Sequence, residues 1–295
     1  MRVVKDPGTM YGLVELWRRN GESIGFVPTM GALHEGHLSL VRKARKSSKR
    51  VIVSIFVNPL QFGPGEDFER YPRDEKRDLD LLEKEGVDVV FLPTPEDIYP
   101  EGFETKVVPG SVAKDLEGAF RPGHFPGVCT VVLKLFSITY PHEAWFGAKD
   151  AQQLAVIKRM VIDLNLALKI RVGRTIREQD GLAMSSRNKY LSPEERKIAL
   201  YLSKALFAGK DVFNKGERRP KAIIDAGWEK IREAGSSLKI DYLDIRDPET
   251  FKPVPDPMEY GVFLIAGRVG STRLIDNLPL GEKAEILLGE KEEGA

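Results

Sequence analysis

The sequence predicts an α/β protein, a doubly wound parallel sheet in its N-terminal part followed by a smaller α+β domain. Three observations carry this expectation. Apolar strand candidates alternate with helical patterns from residue 10 to residue 172, the order that builds a parallel sheet with right-handed crossovers. The run R-V-I-V-S-I-F-V at 50–57 is rich in β-branched residues and reads as a buried strand closed by Asn58-Pro59. After Arg177 the string R-E-Q-D-G-L-A-M-S-S-R-N is polar and has no period, so it reads as a loop between two halves of different character.

The elements follow in order. Residues 10–20 have helical spacing, and 23–27 (S-I-G-F-V) form a short strand ended by Pro28. A glycine-containing turn leads to a helix over 37–48, then to the strand at 50–57. Residues 74–85 form an amphipathic helix stopped at Gly86, and 87–92 a further strand. A buried helix is expected at 127–139, strands at 143–146 and 169–172, and a helix at 150–164 between them. Ser192, Pro193 and Glu195 supply an N-cap, a first-turn proline and a capping-box acceptor for a long helix. A helix over 220–234 precedes strands at 240–246, 261–266 and 272–278. The expected domains are 1–176 and 177–295, joined near Ile176.

A chain of 295 residues can bury one large core or two modest ones. A net charge of +1 leaves no broad footprint for nucleic acid or an anionic membrane. The start M-R-V-V-K-D-P-G lacks the pattern of a signal peptide, and no apolar stretch approaches a bilayer span, so a cytoplasmic protein is expected. The single cysteine, Cys129, cannot make an internal disulfide or a thiolate cluster and fits a reducing compartment. Within V-C-T-V-V-L-K-L-F it reads as a small core residue.

The strongest local signal is F-V-P-T-M-G-A-L-H-E-G-H-L at 26–38. It sets His34 and His37 three apart, with Gly36 between them, where a strand hands over to a helix. That edge of an open α/β sheet is where ligands bind. A helix N-terminus offers unpaired N–H groups and a positive dipole end to a phosphate, and residues three apart share a helix face. Two blander readings stand beside this one. A histidine pair at a helix start can be a polar cap, and a zinc site is conceivable, although the pattern is not H-E-x-x-H and only His124 and His142 add imidazoles.

The H-x-G-H string resembles that of the nucleotidyltransferase superfamily, and V-P-T-M-G-A-L-H-E-G-H is similar to the pantothenate synthetase family. Matching strings follow in family order: F-V-N-P-L-Q-F at 56–62, Y-P-R at 71–73, F-R-P-G-H-F-P-G-V at 120–128, F-G-A-K-D-A-Q-Q at 146–153 and D-G-L-A-M-S-S-R-N at 180–188. The resemblance implies a Rossmann-like N-terminal domain. It also implies a reaction in coenzyme A biosynthesis: pantoate and ATP give pantoyl adenylate and pyrophosphate, and β-alanine then displaces AMP to give pantothenate. Mg²⁺ would accompany ATP, and the chain would form a homodimer, with the apolar run at 51–57 a candidate for part of its interface.

Site residues are carried over on the same strings. Met30, Gly31, Ala32, Leu33, His34, Glu35, Gly36 and His37 would line the ATP site. His37, His34 and Lys149 would be catalytic, with His37 acting on the phosphate transition state. The helix start pushes an imidazole toward its neutral form and a triphosphate pushes the other way, so His37 is expected to act mainly as a hydrogen-bond donor. Gly147, Ala148, Lys149 and Asp150 would also meet ATP, Asp150 reaching Mg²⁺ through water. Met184, Ser185, Ser186 and Arg187 would form a flap over the triphosphate, and Ile176 would offer a backbone contact to adenine. Gln61 would bind pantoate and β-alanine, Gln153 pantoate, with Asn58 beside Gln61.

Local chemistry alone reads these more plainly: Gln61 as a loop residue, Lys149 as a solvated lysine, Asp150 and Gln153 as a helix cap, and Ser185-Ser186 as a linker. Arg121 and His124 could bind a substrate carboxylate or pack a lid, and Tyr71 and Arg73 read as structural. A tRNA synthetase is disfavoured by length and charge, whereas a non-catalytic nucleotide-binding protein on this fold is not excluded by fold alone.

Overall fold

A computed structural model of the chain describes residues 1–291. It contains two compact units: Met1–Gly147 with Val156–Gly173, and Ala148–Ala155 with the chain from Arg174 onward. The second unit thus takes in the turn that carries Lys149.

The first unit contains β1 (Arg2–Val4), α1 (Pro7–Arg19), β2 (Ile24–Thr29), α2 (Glu35–Ser47), β3 (Arg50–Ile55), α3 (Glu75–Lys84) and β4 (Val89–Phe91). Two short turns, α4 (Pro95–Ile98) and α5 (Glu117–Phe120), precede α6 (His124–Thr139), β5 (Glu143–Gly147), α7 (Ala151–Asp163, in this unit from Val156) and β6 (Lys169–Gly173). All six strands are parallel, in the order β1-β4-β3-β2-β5-β6. The winding reverses between β2 and β5, the topological switch that opens a ligand crevice at the carboxyl ends of the strands. The doubly wound sheet is thus as the alternating pattern predicts.

β3 has neighbours on both edges, and Val51, Ile52 and Val53 are fully buried beside Val27, Val41, Leu82 and Val90. Residues 51–56 spend their apolarity on the core, which leaves only the half-buried Val57 of that run toward a surface. β2 also differs from expectation, running through Pro28 to Thr29. The ladder to β5 ends at Phe26, so Pro28, which has no N–H to give, lies beyond it while β3 still pairs as far as Thr29. β1 escaped the sequence reading because three residues are too short to show a period. α6 is buried nearly all round, with Cys129 at its centre, and burial pushes that thiol up to about 12.

The second unit holds α8 (Pro193–Asn214), α9 (Pro220–Glu233) and an antiparallel sheet β7-β8-β9 (Leu238–Arg246, Gly261–Val269, Thr272–Leu280), followed by α10 (Glu282–Leu287). The capping box at Ser192 forms as read: Glu195 N–H donates to Ser192 Oγ, and Ser192 N–H to Glu195 Oε2. The inward faces of α8, α9 and the sheet make one apolar cluster that includes Leu202, Leu206, Ile223 and Phe263. Among the described residues no helix is long and apolar enough to cross a membrane.

Candidate active site

The β2–α2 turn shows why its sequence is so particular. Gly31 and Ala32 both have positive φ, +78° and +49°, the latter unfavourable for a residue with a Cβ. The buried carboxylate of Asp78, on α3, holds them there by accepting Ala32 N–H at 2.7 Å and Leu33 N–H at 2.8 Å. Burial raises the Asp78 pKa, while those two N–H donors oppose the rise. The turn then delivers His34 as the N-cap of α2.

Both imidazoles take part in the cap. Gly36 N–H donates to His34 Nδ1 at 3.2 Å, and His34 N–H donates to His37 Nδ1 at 3.3 Å, a capping box built from two histidines. Accepting at Nδ1 puts the proton of each ring on Nε2. The ring centroids lie 4.1 Å apart. A side chain at Gly36 would meet the His34 ring at 2.9 Å, so the capping position of that ring depends on glycine here. The polar-cap reading is therefore met by the Nδ1 edges of the two rings, and it leaves the proton of each on Nε2.

Gln61 follows β3 in a short 3₁₀ turn (Pro59–Gln61) and is itself buried. Asn58 Nδ2 donates to Gln61 Oε1 at 3.1 Å and to Gly127 O at 3.1 Å, while Asn58 Oδ1 accepts from Leu60 N–H and the Tyr99 hydroxyl. All four hydrogen-bonding positions of that amide are filled. With its oxygen fixed, Gln61 presents its NH₂ group on the side of Met30 Sδ, 3.1 Å away. The main chain of Gln61 is anchored too. Arg121 can only donate, so its contact with His124 Nε2 at 3.1 Å sets the tautomer, and His124 Nδ1–H donates to Gln61 O at 2.9 Å. Burial, and then the Arg121 charge, lower the His124 pKa to about 4. Arg121 is itself clamped by both oxygens of Glu66 at 2.7 Å; burial would raise that carboxyl, but the guanidinium holds it below its usual range. Tyr71 is buried against Phe62, and Arg73 donates to the carbonyls of Phe68, Glu69 and Tyr71, structural roles for both.

Gly147 ends β5 in the first unit, and the remaining predicted residues belong to the second. Ala148, Lys149 and Asp150 form a 3₁₀ turn ahead of α7, where Gln153 lies in the first turn. Lys149 Nζ is 3.7 Å from Asp150 Oδ1. Asn277, on β9, donates from Nδ2 to the carbonyls of Ala148 at 2.9 Å and Lys149 at 2.7 Å. Ile176 O accepts Met184 N–H at 2.9 Å, closing the base of the polar loop. Within the loop Arg187 N–H donates to Ser185 Oγ, and Ser186 is buried. The segment is no slack linker. Arg196 ties Glu178 and Asp180 to α8, Asn188 donates to Glu178 and Ala183 O, and Arg177 meets Asp276 on β9 at 2.7 and 2.9 Å.

Sequence reading missed Asp78, Asp276 and Asn277. Each had a signal: Asp78 stands four residues before the core residue Leu82 on the inward face of its helix, and the other two interrupt the apolar strand L-I-D-N-L-P-L. Buried polar residues in such places need partners: Asp78 and Asn277 find them on the backbone of candidate ligand-binding segments, and Asp276 finds the Arg177 guanidinium.

A parallel sheet bearing H-x-G-H at the start of the helix after its second strand defines an α/β enzyme of the nucleotidyltransferase class. The comparisons narrow this. Residues 2–279 match the family model described as pantoate-beta-alanine ligase. The chain is 51% identical over 278 residues to the pantothenate synthetase of Sulfurihydrogenibium sp. (strain YO3AOP1), covering 94% of this chain and 99% of that one, and 52% identical over 281 residues to that of Thermotoga neapolitana, covering 95% and 100%. Among solved structures, the pantothenate synthetase of Thermus thermophilus matches at 48% identity and a TM-score of 0.90, covering 96% of this chain and all of that one. A Francisella tularensis pantoate-beta-alanine ligase, complexed with beta-gamma ATP and β-alanine, matches at 35% identity and a TM-score of 0.78, covering 94% and 97%. The chain belongs to the pantoate–β-alanine ligase family and is an ATP-dependent ligase that condenses pantoate with β-alanine.

Proposed function

We propose that the chain carries out this condensation in two steps, with the residues described above in named roles. In the first, a pantoate carboxylate oxygen attacks the α-phosphorus of ATP, and the bond to pyrophosphate breaks. A carboxylate is a poor electrophile and its mixed anhydride with AMP a good one. In the second, the β-alanine amine attacks the acyl carbon and AMP leaves, giving pantothenate. Charge moves onto phosphate oxygens in the first step, so preorganised donors and cations dominate its catalysis.

The observation that carries this reading is the pair of Nδ1-accepting histidines, which puts the proton of each ring on Nε2, the atom that would donate to phosphate. His37 and His34 act there, with Met30, Gly31, Ala32, Leu33, Glu35 and Gly36 lining the nucleotide. Lys149 supplies the catalytic cation beside Gly147, Ala148 and Asp150; Met184, Ser185, Ser186 and Arg187 take the triphosphate, and the Ile176 main chain takes adenine. Gln61 binds pantoate and β-alanine through its fixed NH₂ group, Gln153 binds pantoate, and Asn58 acts by orienting Gln61. Because the loop at 177–188 is bonded to β9 and α8, closure over ATP would carry it as one piece with them.

Among the described residues no three His, Cys, Asp or Glu side chains are grouped to hold a metal by themselves. Mg²⁺ needs only one or two carboxylates when phosphates supply further oxygens, and Asp150, its carboxylate about half exposed beside Lys149, fits that part. Bound there, Mg²⁺ would neutralise phosphate charge. A homodimer in the cytoplasm completes the proposal, which sedimentation would test for the assembly. The reaction is tested by supplying ATP with pantoate alone: labelled pyrophosphate should exchange into ATP, and adding β-alanine should release AMP and pantothenate in equal amounts. Exchange that ignores pantoate would defeat the reading.

A further inference from the structure

We propose that Asp276 and Asn277, adjacent on β9, are positioning residues that hold two nucleotide-facing segments, the Lys149 turn and the 177–188 loop, in fixed register with each other. The inference rests on the function proposed above. Both side chains are buried, 3% and 2% exposed, in a strand whose other buried residues are apolar apart from Thr272, so each must find partners within the protein.

Their partners divide cleanly. Asn277 spends both of its N–H donors on consecutive carbonyls, Ala148 O and Lys149 O. Asp276 takes Arg177 in a two-pronged ion pair, and the same guanidinium donates onward to Gly181 O at 3.0 Å, within the loop, and back to Asn277 O at 3.1 Å. Asn277 N–H closes the circuit on Asp276 Oδ1 at 2.7 Å. Two successive residues of one rigid strand thus each grip one segment, and Arg177 links the grips.

The consequence for chemistry follows from where the grips fall. Anchoring Lys149 O fixes the main chain from which the long, flexible lysine side chain departs. Anchoring Gly181 O fixes the loop four residues before Ser185. A misplacement of about 1 Å in such a base costs on the order of 100-fold in rate. Neither Asp276 nor Asn277 need touch substrate for this.

The two half-reactions separate positioning from mere structural support. In full-length protein, Asn277→Ala should slow pantoate-dependent pyrophosphate exchange by about 30-fold, while capture of synthetic pantoyl adenylate by β-alanine slows by no more than about threefold, because triphosphate alignment matters only to the first step. The ratio of the two rates in one preparation does not depend on how much of it is folded, so poor folding cannot mimic the effect. Asp276→Asn, which keeps shape and an acceptor oxygen but gives up the charge opposite Arg177, should move the ratio the same way by a smaller factor and raise KM for ATP more than it lowers kcat. A ratio that stays at its unsubstituted value in both variants, or moves the other way, overturns the inference. Absence of exchange in the unsubstituted protein overturns the underlying function instead.

Discussion

The two candidate ligand-binding regions are held by different physics. In the first unit the β2–α2 turn and the Gln61 loop are fixed by hydrogen bonds from a few buried side chains: Asp78 accepts two backbone N–H groups, and His124 and Asn58 donate to the main chain and side chain of Gln61. In the second unit the 177–188 loop is held mostly by ion pairs, of which Arg196–Glu178 and Arg196–Asp180 are about one-third exposed. Regular elements bring their own geometry, so a few anchors at strand ends suffice. An irregular segment has none and is cross-linked along its length. The first kind of anchoring should respond to protonation and to loss of a single buried partner, and the second to salt.

The largest effect tests what the histidine cap is for. His37→Ala should cut pyrophosphate exchange on the order of 1,000-fold, the scale seen when one preorganised donor to a developing oxyanion is removed. His37→Gln, which restores an N–H donor, should recover about tenfold of that loss. Gln at this helix position can also accept the His34 N–H, so stability should fall more in His37→Ala than in His37→Gln, and equal activity losses would remove the donor role.

Protonation comes next, on the scale of stability. His124 has its folded pKa lowered to about 4 by burial beside Arg121, while an unfolded histidine titrates near its ordinary value. The folded state therefore binds fewer protons between those values, and stability should fall as pH drops through that window, by an amount on the order of 3 kcal/mol in full. His142, also lowered by burial, adds to the slope with the same sign. Urea unfolding at pH 7 and pH 5 should show a smaller loss for His124→Asn than for the unsubstituted protein; identical losses would mean that His124 is not buried neutral in solution.

How much of this was legible in advance depended on whether a residue's neighbours lie near it in sequence. The parallel sheet, the capping box at Ser192 and the pairing of His34 with His37 are local patterns, and they were readable. The chemistry of the family was readable from strings of consecutive residues that resemble it. The supports were not, since Asp78 meets Ala32 and Leu33 across more than forty positions and Asn277 meets Lys149 across more than a hundred. Local readings also misjudged context. Pro28 stops a strand only where a ladder needs its N–H, the run at 51–57 looked sticky because it belongs inside, and the 177–188 loop looked slack because its ties are long-range.

Asp78→Asn probes the first kind of anchor directly. An amide can accept one of the two N–H groups but turns a donor toward the other, so one buried N–H loses its partner at a cost of about 2 kcal/mol. Exchange activity should fall with stability, because Ala32 is held at positive φ by that carboxylate. An Asp78→Asn protein as stable as the original would show that the turn keeps its shape without the carboxylate.

The smallest effect separates the two regions most cleanly. Partly exposed ion pairs contribute about 0.2–1 kcal/mol each and weaken as salt shortens the Debye length from about 8 Å to about 3 Å between 0.15 and 1 M. Amide exchange at Met184, whose N–H closes the loop on Ile176 O, should therefore quicken about threefold over that salt range, a change of less than 1 kcal/mol. Arg196→Gln should give the faster rate already at low salt and remove most of the remaining dependence, since Glu178 and Asp180 lose their shared partner. Leu33, whose N–H donates to a buried carboxylate, should exchange at a rate indifferent to salt in both proteins. Equal salt responses at Met184 and Leu33 would erase the distinction between the two kinds of anchor, and an Arg196→Gln protein with an unchanged Met184 rate would leave Arg177–Asp276 as the tie that holds the loop.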